Sequence, residues 1–81
     1  MFYSVYVLRS SKDNTLYTGL SEDPAKRLKE HNSKASKYTK GHNPYKLVYT
    51  EKFLDRKTAR AREKYLKTGH GKEDSERLIP P

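Results

Sequence analysis

The chain has 81 residues, a formal net charge of +8 from 18 Lys and Arg against 10 Asp and Glu, and no cysteine. This length predicts one domain over residues 1–81, and the lack of cysteine excludes disulfides, thiolate metal sites and a cysteine nucleophile. Neither a bilayer-spanning apolar stretch nor a secretion signal is present, so we expect a cytoplasmic protein. Its positive charge predicts an anionic partner.

The sequence predicts an α+β fold, with a small three-stranded antiparallel sheet flanked by helices in the order β-β-α-β-α-α. β-branched and aromatic residues mark the strands, and polar turn and capping residues separate the elements. In chain order we expect strands at 3–8 and 15–20, a helix at 24–32, a strand at 46–53, and helices at 56–68 and 71–78. The polar, basic segment 33–44 is typical of a loop with one helical turn near 35–39.

Capping residues and glycines indicate where these elements begin and end. Asp23 and Pro24 predict a helix start, since Asp can cap the free amides and proline suits the first helical position. Asp55 should cap the second long helix, and Gly69 should end it. Gly19 lies inside the second strand, where a glycine marks a bulge or the close approach of another group.

Basic and aromatic residues alternate from the first helix to the third strand. They are Lys26, Arg27, Lys29, Lys34, Lys37, Lys40 and Lys46, with Tyr38, His42 and Tyr45 between them. Such a surface is typical of phosphate-backbone binding with stacking of bases. A merely solvated face is the alternative, but the net charge favours nucleic acid. A membrane surface fits less well, because no basic helix carries a bulky apolar face.

One acidic residue interrupts the predicted apolar stripe of the second long helix. Glu63 shares that stripe with Ala59 and Leu66, and a buried carboxylate is costly unless it is paired or bound to a cation. A surface ion pair with neighbouring basic residues is one explanation. Metal binding is the other, since a hydrated Mg²⁺ needs only one or two protein carboxylates.

Two further pairs could take part in chemistry. Arg27 and His31 are four residues apart and share a helix face; Arg suits a phosphate, and His carries protons near neutral pH. An exposed basic helix is the simpler explanation. Tyr6 and Tyr17 lie on the two strands of the predicted hairpin, where tyrosines are usually core residues.

Taken together, these residues resemble the GIY-YIG nuclease family, and in particular its small single-domain members, which are like the N-terminal domain of excinucleases. The resemblance covers roughly residues 2 to 70. Two short family motifs on adjacent strands correspond to Ser4-Val5-Tyr6 and Tyr17-Thr18-Gly19. The family's helical Arg, the His or Tyr one turn later, and the Glu of a later helix correspond to Arg27, His31 and Glu63.

The resemblance implies a metal-dependent endonuclease that hydrolyses phosphodiester bonds in DNA, with DNA repair or recombination as its setting. Glu63 would hold one Mg²⁺ or Mn²⁺, and Arg27 would clamp the scissile phosphate. Tyr17, Tyr6 and His31 compete for the role of general base. Tyr17 is favoured as the base or as the residue that positions the water, with Tyr6 as its hydrogen-bonding partner. The residues expected to contact nucleic acid are Gly19, Lys26, Lys34, Lys37, Tyr38 and Lys40.

Some features depart from the family pattern. Ser4 stands in place of a glycine in the first motif, and Asp74 and Ser75 lie where larger members carry a polar residue, often Asn. The additional DNA-binding domain of larger members is missing, so a protein partner would supply targeting. The alternative function is a non-catalytic basic nucleic-acid-binding module of the same fold, and a protein-interaction role comes third.

Overall fold

The structure is a computed structural model that describes residues 2–33 and 44–79. Its elements are β1 (Tyr3–Ser10), β2 (Leu16–Ser21), α1 (Pro24–Ser33), β3 (Tyr45–Phe53), α2 (Arg56–Leu66) and α3 (Gly69–Leu78). The predicted α+β class and element order are confirmed. The predicted loop at 33–44, with its helical turn, lies outside the described residues except at its two ends. None of the helices within the described ranges is long and apolar enough to cross a membrane.

The first strand of the chain is the central strand of the sheet. The strand order is β2-β1-β3, and both pairings are antiparallel. Tyr6 therefore lies opposite Gly19 on one side and Thr50 on the other. A register shift between Val7 and Leu8 interrupts the pairing with β3. This arrangement surrounds the middle of β1 with backbone on both sides and buries it.

The β1–β2 hairpin closes through the turn that the polar segment predicts. Asn14 adopts a left-handed backbone with φ of 63°, a conformation that Asn tolerates better than most residues. The Asp13 carboxylate accepts hydrogen bonds from the backbone and hydroxyl of Thr15, at 3.1 and 2.7 Å. The Ser10 hydroxyl oxygen accepts hydrogen bonds from the backbone amides of Lys12 and Asp13, at 3.1 and 3.2 Å. Side chains thus supply the hydrogen bonds that the turn backbone cannot form with itself.

Residues of β1 alternate between two cores on opposite faces of the sheet. On one face, Val5 packs with Ala59 and Leu66 of α2. On the other face, a second cluster contains Tyr6, Leu8 and Tyr45, with Tyr17 and Leu28 packed against it. Helices α1 and α2 therefore cover opposite faces, and the thin apolar core is divided between them.

The predicted helix starts at Asp23 and Asp55 are confirmed. The Asp23 carboxylate accepts a hydrogen bond from the Lys26 amide at 3.1 Å. The Asp55 carboxylate caps α2 by accepting from the amides of Lys57 and Thr58. Each aspartate satisfies backbone donors that the first helical turn leaves free.

The predicted end of the second long helix at Gly69 is wrong. Helix α2 ends at Leu66 with Lys67 as its C-cap, and Gly69 is the first residue of α3. The Thr68 hydroxyl explains the difference, because its oxygen accepts from the Gly71 amide at 3.1 Å and caps a new helix. The last helix therefore begins two residues earlier than predicted.

Gly71 allows α3 to pack closely against the end of α2. A Cβ atom added there would lie 2.5 Å from the Cα of Leu66 and 2.6 Å from the carbonyl carbon of Tyr65. These are backbone atoms, which cannot rotate away. A Cβ added at Gly69 would meet nothing within 4 Å. Of these two glycines, only Gly71 is required by packing.

Candidate active site

Tyr6 projects from the central strand, and its ring lies across the backbone of Gly19. A Cβ atom added at Gly19 would be 2.5 Å from Cζ and 2.9 Å from Cε1 of Tyr6, and closer still to the hydroxyl. Carbon atoms normally pack at about 3.5–4.0 Å, so a glycine is needed at this position. The group that approaches Gly19 is therefore the Tyr6 ring.

The Tyr6 hydroxyl faces two residues of α1. Its oxygen lies 3.4 Å from Nε2 of His31, in a buried contact. Burial raises the pKa of Tyr6 above its usual value of 10.0, although a hydrogen bond from Arg27 opposes the rise. The nearby charges of Tyr17 and Glu63 raise this pKa further. Tyr6 is thus held as a protonated phenol that can donate a hydrogen bond.

His31 is surrounded by aromatic rings. The Tyr17 ring meets the imidazole edge-on, with centroids 4.8 Å apart, and those of Tyr6 and Tyr45 lie at 6.4 and 6.3 Å. Burial lowers the pKa of His31, and the positive charge of Arg27 lowers it further, against a smaller opposing effect of Glu30. The imidazole is therefore neutral at neutral pH, and one ring nitrogen can accept a proton or hydrogen bond.

Arg27 lies at the solvent-exposed edge of the cluster formed by Tyr6, Tyr17 and His31. Nη1 lies 3.0 Å from Oε2 of Glu30, and both side chains are over 40% exposed, at 45% and 42%. The hydrogen bond to Tyr6 raises the pKa of the guanidinium. An exposed Glu30 holds it only weakly, because ion pairs in solvent contribute little. The guanidinium can therefore exchange Glu30 for a phosphate.

Glu63 is buried on α2, as its place on the apolar stripe predicts, with 8% of the residue exposed. Its carboxylate also forms ion pairs, with Nζ of Lys67 at 3.1 Å and Nε of Arg60 at 3.8 Å. Of the two explanations for this residue, the ion pairs with neighbouring basic residues are therefore present, and metal binding stays a prediction. The negative charge of this carboxylate contributes a little to the raised pKa of Tyr6.

Glu63 fits a hydrated divalent cation. Within the described ranges there is no group of three or more His, Cys, Asp or Glu that could enclose a metal. A single carboxylate nevertheless suffices for Mg²⁺, which keeps several of its waters. The side chains of Lys67 and Arg60 are 51% and 57% exposed, so both can move away from the carboxylate.

The remaining sequence-predicted contacts are only partly within the described residues. Lys26 is exposed in the first turn of α1, and Lys46 is exposed on β3. Lys29 is exposed on α1, but Tyr45 is buried in the core, so its prediction as an exposed aromatic for base stacking is wrong. The remaining candidates lie outside the described residues: Lys34, Lys37, Tyr38, Lys40 and His42. Phosphate binding by the loop stays a prediction.

Asn32 is a positioning residue that the sequence reasoning missed. Its side-chain amide accepts from the Tyr45 backbone amide at 2.7 Å and donates to the Tyr45 carbonyl at 3.1 Å. This pair of bonds ties the end of α1 to the start of β3, and so holds His31 against the sheet. An Asn at a helix end is an ordinary feature, and only the fold brings positions 32 and 45 together.

The two positions that depart from the pattern of larger nucleases lie on α3. The Asp74 carboxylate accepts a hydrogen bond from the Tyr65 hydroxyl and lies 3.6 Å from Nη2 of Arg77. Ser75 is buried, at 2% exposure, and its hydroxyl has no hydrogen-bond partner among the described residues. The described contacts of Asp74 thus join α2 to α3.

Comparison with known proteins identifies the family of the chain. The model of the GIY-YIG catalytic domain matches residues 2–76, and the chain therefore belongs to the GIY-YIG family, a family of nucleases that typically use a divalent metal. Within it, the chain is similar to the UPF0213 proteins. One from Clostridium perfringens is 47% identical over 64 residues, which cover 78% of this chain and 68% of that protein.

Two further relatives extend the comparison. A UPF0213 protein of Natronomonas pharaonis is 43% identical over 65 residues, covering 79% of this chain and 75% of that protein. The solution NMR structure of a UPF0213 protein from Bacillus halodurans has a TM-score of 0.58 and 37% identity. That match covers 96% of this chain and 85% of the other. The fold is therefore shared with the UPF0213 proteins.

Proposed function

We propose that the protein is an endonuclease that hydrolyses phosphodiester bonds in DNA and depends on one Mg²⁺ or Mn²⁺. The observation that carries the proposal is the convergence of Tyr6, Tyr17, Arg27 and His31 from three separate elements. Glu63, on α2, contributes a smaller electrostatic effect on the pKa of Tyr6. A guanidinium and an imidazole beside a buried phenol with a raised pKa are typical of a functional site.

Arg27 is proposed to bind the scissile phosphate. Its guanidinium is exposed, always charged and able to make bidentate contact with phosphate oxygens. The hydrogen bond to Tyr6 fixes one side of the group, so that the other side can face the substrate. Arg27 would then stabilise the negative charge that develops during hydrolysis.

Tyr17 and His31 are proposed to handle the attacking water. Tyr17 is partly exposed and can contact a water, whereas Tyr6 and His31 are buried. The lowered pKa of His31 leaves its imidazole free to accept a proton. The raised pKa of Tyr6 disfavours it as the base. Its hydroxyl oxygen can instead accept a hydrogen bond from Nε2 of His31, which leaves the other ring nitrogen to accept the proton.

Glu63 is proposed to hold the divalent ion, which when bound would neutralise charge on the phosphate and the leaving oxygen. DNA repair or recombination is the proposed setting, with a protein partner that directs the domain to its substrate. The basic residues outside the described ranges would add phosphate contacts, as the sequence predicts.

Cleavage of a panel of labelled duplex, branched and single-stranded DNA and RNA, with Mg²⁺ or Mn²⁺, tests the proposal. Glu63→Gln should lower cleavage by about 10²-fold or more, while binding in Ca²⁺ or EDTA is retained. Glu73→Gln is the matched control, because Glu73 is exposed on α3. Cleavage that survives in Glu63→Gln would show that the carboxylate has been assigned wrongly.

The alternative function is a basic nucleic-acid-binding module without turnover, which the net charge of +8 favours. It predicts strongly salt-dependent binding that needs no metal. Binding without cleavage of any member of the panel, in either metal, would establish this alternative.

A further inference from the structure

We propose that Lys67, assisted by Arg60, is an exchangeable counter-ion of Glu63 that competes with the divalent metal and thereby sets the metal affinity of the free protein. The inference rests on the proposed function, because it takes Glu63 to be the metal ligand. The proposal gives Lys67 a regulatory role, in which it acts on the metal-binding carboxylate of Glu63 and not on the substrate.

Both carboxylate oxygens of Glu63 face a cation. Nζ of Lys67 lies 3.1 Å from Oε2, and Nε of Arg60 lies 3.8 Å from Oε1. The three residues have i, i+3 and i, i+4 spacing on α2, so the contacts need no rearrangement of the helix. The oxygens that would bind a metal are thus the ones that these cations contact.

The two partners of each ion pair differ in burial. The Glu63 side chain is 11% exposed, whereas the Lys67 and Arg60 side chains are 51% and 57% exposed. A carboxylate so deeply placed needs a counter-ion at all times. A long, half-exposed Lys side chain can leave with little loss of packing. The metal and Lys67 are therefore alternative counter-ions of one carboxylate.

Competition for the carboxylate has a direct consequence for affinity. A metal ion that enters must displace Lys67, and any ammonium that stays nearby repels it. Removal of the ammonium should therefore tighten metal binding even in the absence of nucleic acid.

The test is a calorimetric titration of the full chain with Mn²⁺ in the absence of nucleic acid. Lys67→Met should bind Mn²⁺ about three- to tenfold more tightly than wild type. Lys64→Met is the matched control, because Lys64 is an exposed lysine of the same helix that has no ion pair within residues 2–33 and 44–79. It should change the affinity by less than about twofold. Lys67→Arg, which keeps the charge, should resemble wild type.

Other outcomes would overturn the proposal. Equal affinities of Lys67→Met and Lys64→Met would show that only net charge matters, and weaker binding by Lys67→Met would show that Lys67 orients the carboxylate. Thermal melting of each variant confirms that the compared chains are folded. If Glu63→Gln binds Mn²⁺ as wild type does, or if wild type and Lys67→Met both fail to bind, the metal site of the proposed function fails as well.

Discussion

Gly19→Ala adds one methyl group where the Tyr6 ring leaves no room. The new Cβ would lie 2.5 Å from Cζ of Tyr6, about 1 Å inside an ordinary carbon–carbon contact. The ring is buried, with 1% of Tyr6 exposed, so it cannot move aside without disturbing its neighbours. Overpacking of this kind costs about 1–3 kcal/mol, and each kcal/mol lowers the Tm of a domain of this size by about 4–8 °C.

A double-mutant cycle isolates the contact. Thermal and urea unfolding would be measured for wild type, Gly19→Ala, Tyr6→Leu and the double variant. Leucine keeps an apolar side chain on β1 but lacks the Cε1, Cζ and hydroxyl atoms that the new Cβ would meet. Gly19→Ala should therefore cost less than about 0.5 kcal/mol in the Tyr6→Leu background, which gives a coupling energy of at least about 0.5 kcal/mol.

The cycle can refute the reasoning. If Gly19→Ala is equally costly with Leu at position 6, the backbone of β2 rather than the Tyr6 ring requires glycine. The proposed function adds a second readout. A displaced ring moves its hydroxyl away from Nε2 of His31, so Gly19→Ala should lower kcat.

Two further predictions concern stability. Gly71→Ala should lower the free energy of unfolding, measured in urea, by more than about 3 kcal/mol, because the new Cβ would meet backbone atoms of α2. Gly69→Ala is the control and should be tolerated. Equal effects of the two substitutions would contradict the packing argument. Because the folded pKa of His31 is lowered, the unfolded chain binds more protons as the pH falls through about 6.5. Wild type should then lose stability relative to His31→Gln as the pH falls from 7.5 to 5.5, and a pH-independent difference would contradict the burial of His31.

The sequence predicts those parts of the fold that have local causes. Asp23 and Asp55 cap helices through hydrogen bonds to residues two or three positions away, so their effect is visible in a short window. The burial of Glu63 follows from the periodicity of its own helix. The error at Gly69 arose where two local signals compete, since Thr68 can cap a new helix just before the glycine.

Other features depend on contacts between distant parts of the chain. The Tyr6 ring across Gly19, and the Asn32 side chain on the Tyr45 backbone, exist only after strands and helices have packed. The requirement for glycine at position 71 cannot be predicted from the sequence, because nothing in the local sequence distinguishes Gly71 from Gly69. The site residues follow from the family resemblance, whereas their spacing alone leaves a core-aromatic explanation open for Tyr6 and Tyr17.

The central position of β1 has a consequence for how the protein is made. The sheet is complete only when β1 pairs with β3, which brings Tyr3 opposite Phe53. Pairing between strands so far apart in the sequence slows folding to about milliseconds or longer. A nascent chain that ends before β3 and α2 contains the Tyr6 and His31 side chains but neither the partner strand nor Glu63. We therefore expect the assembled site to arise only after nearly the whole domain has been synthesised, so that unfinished chains are inert toward nucleic acid.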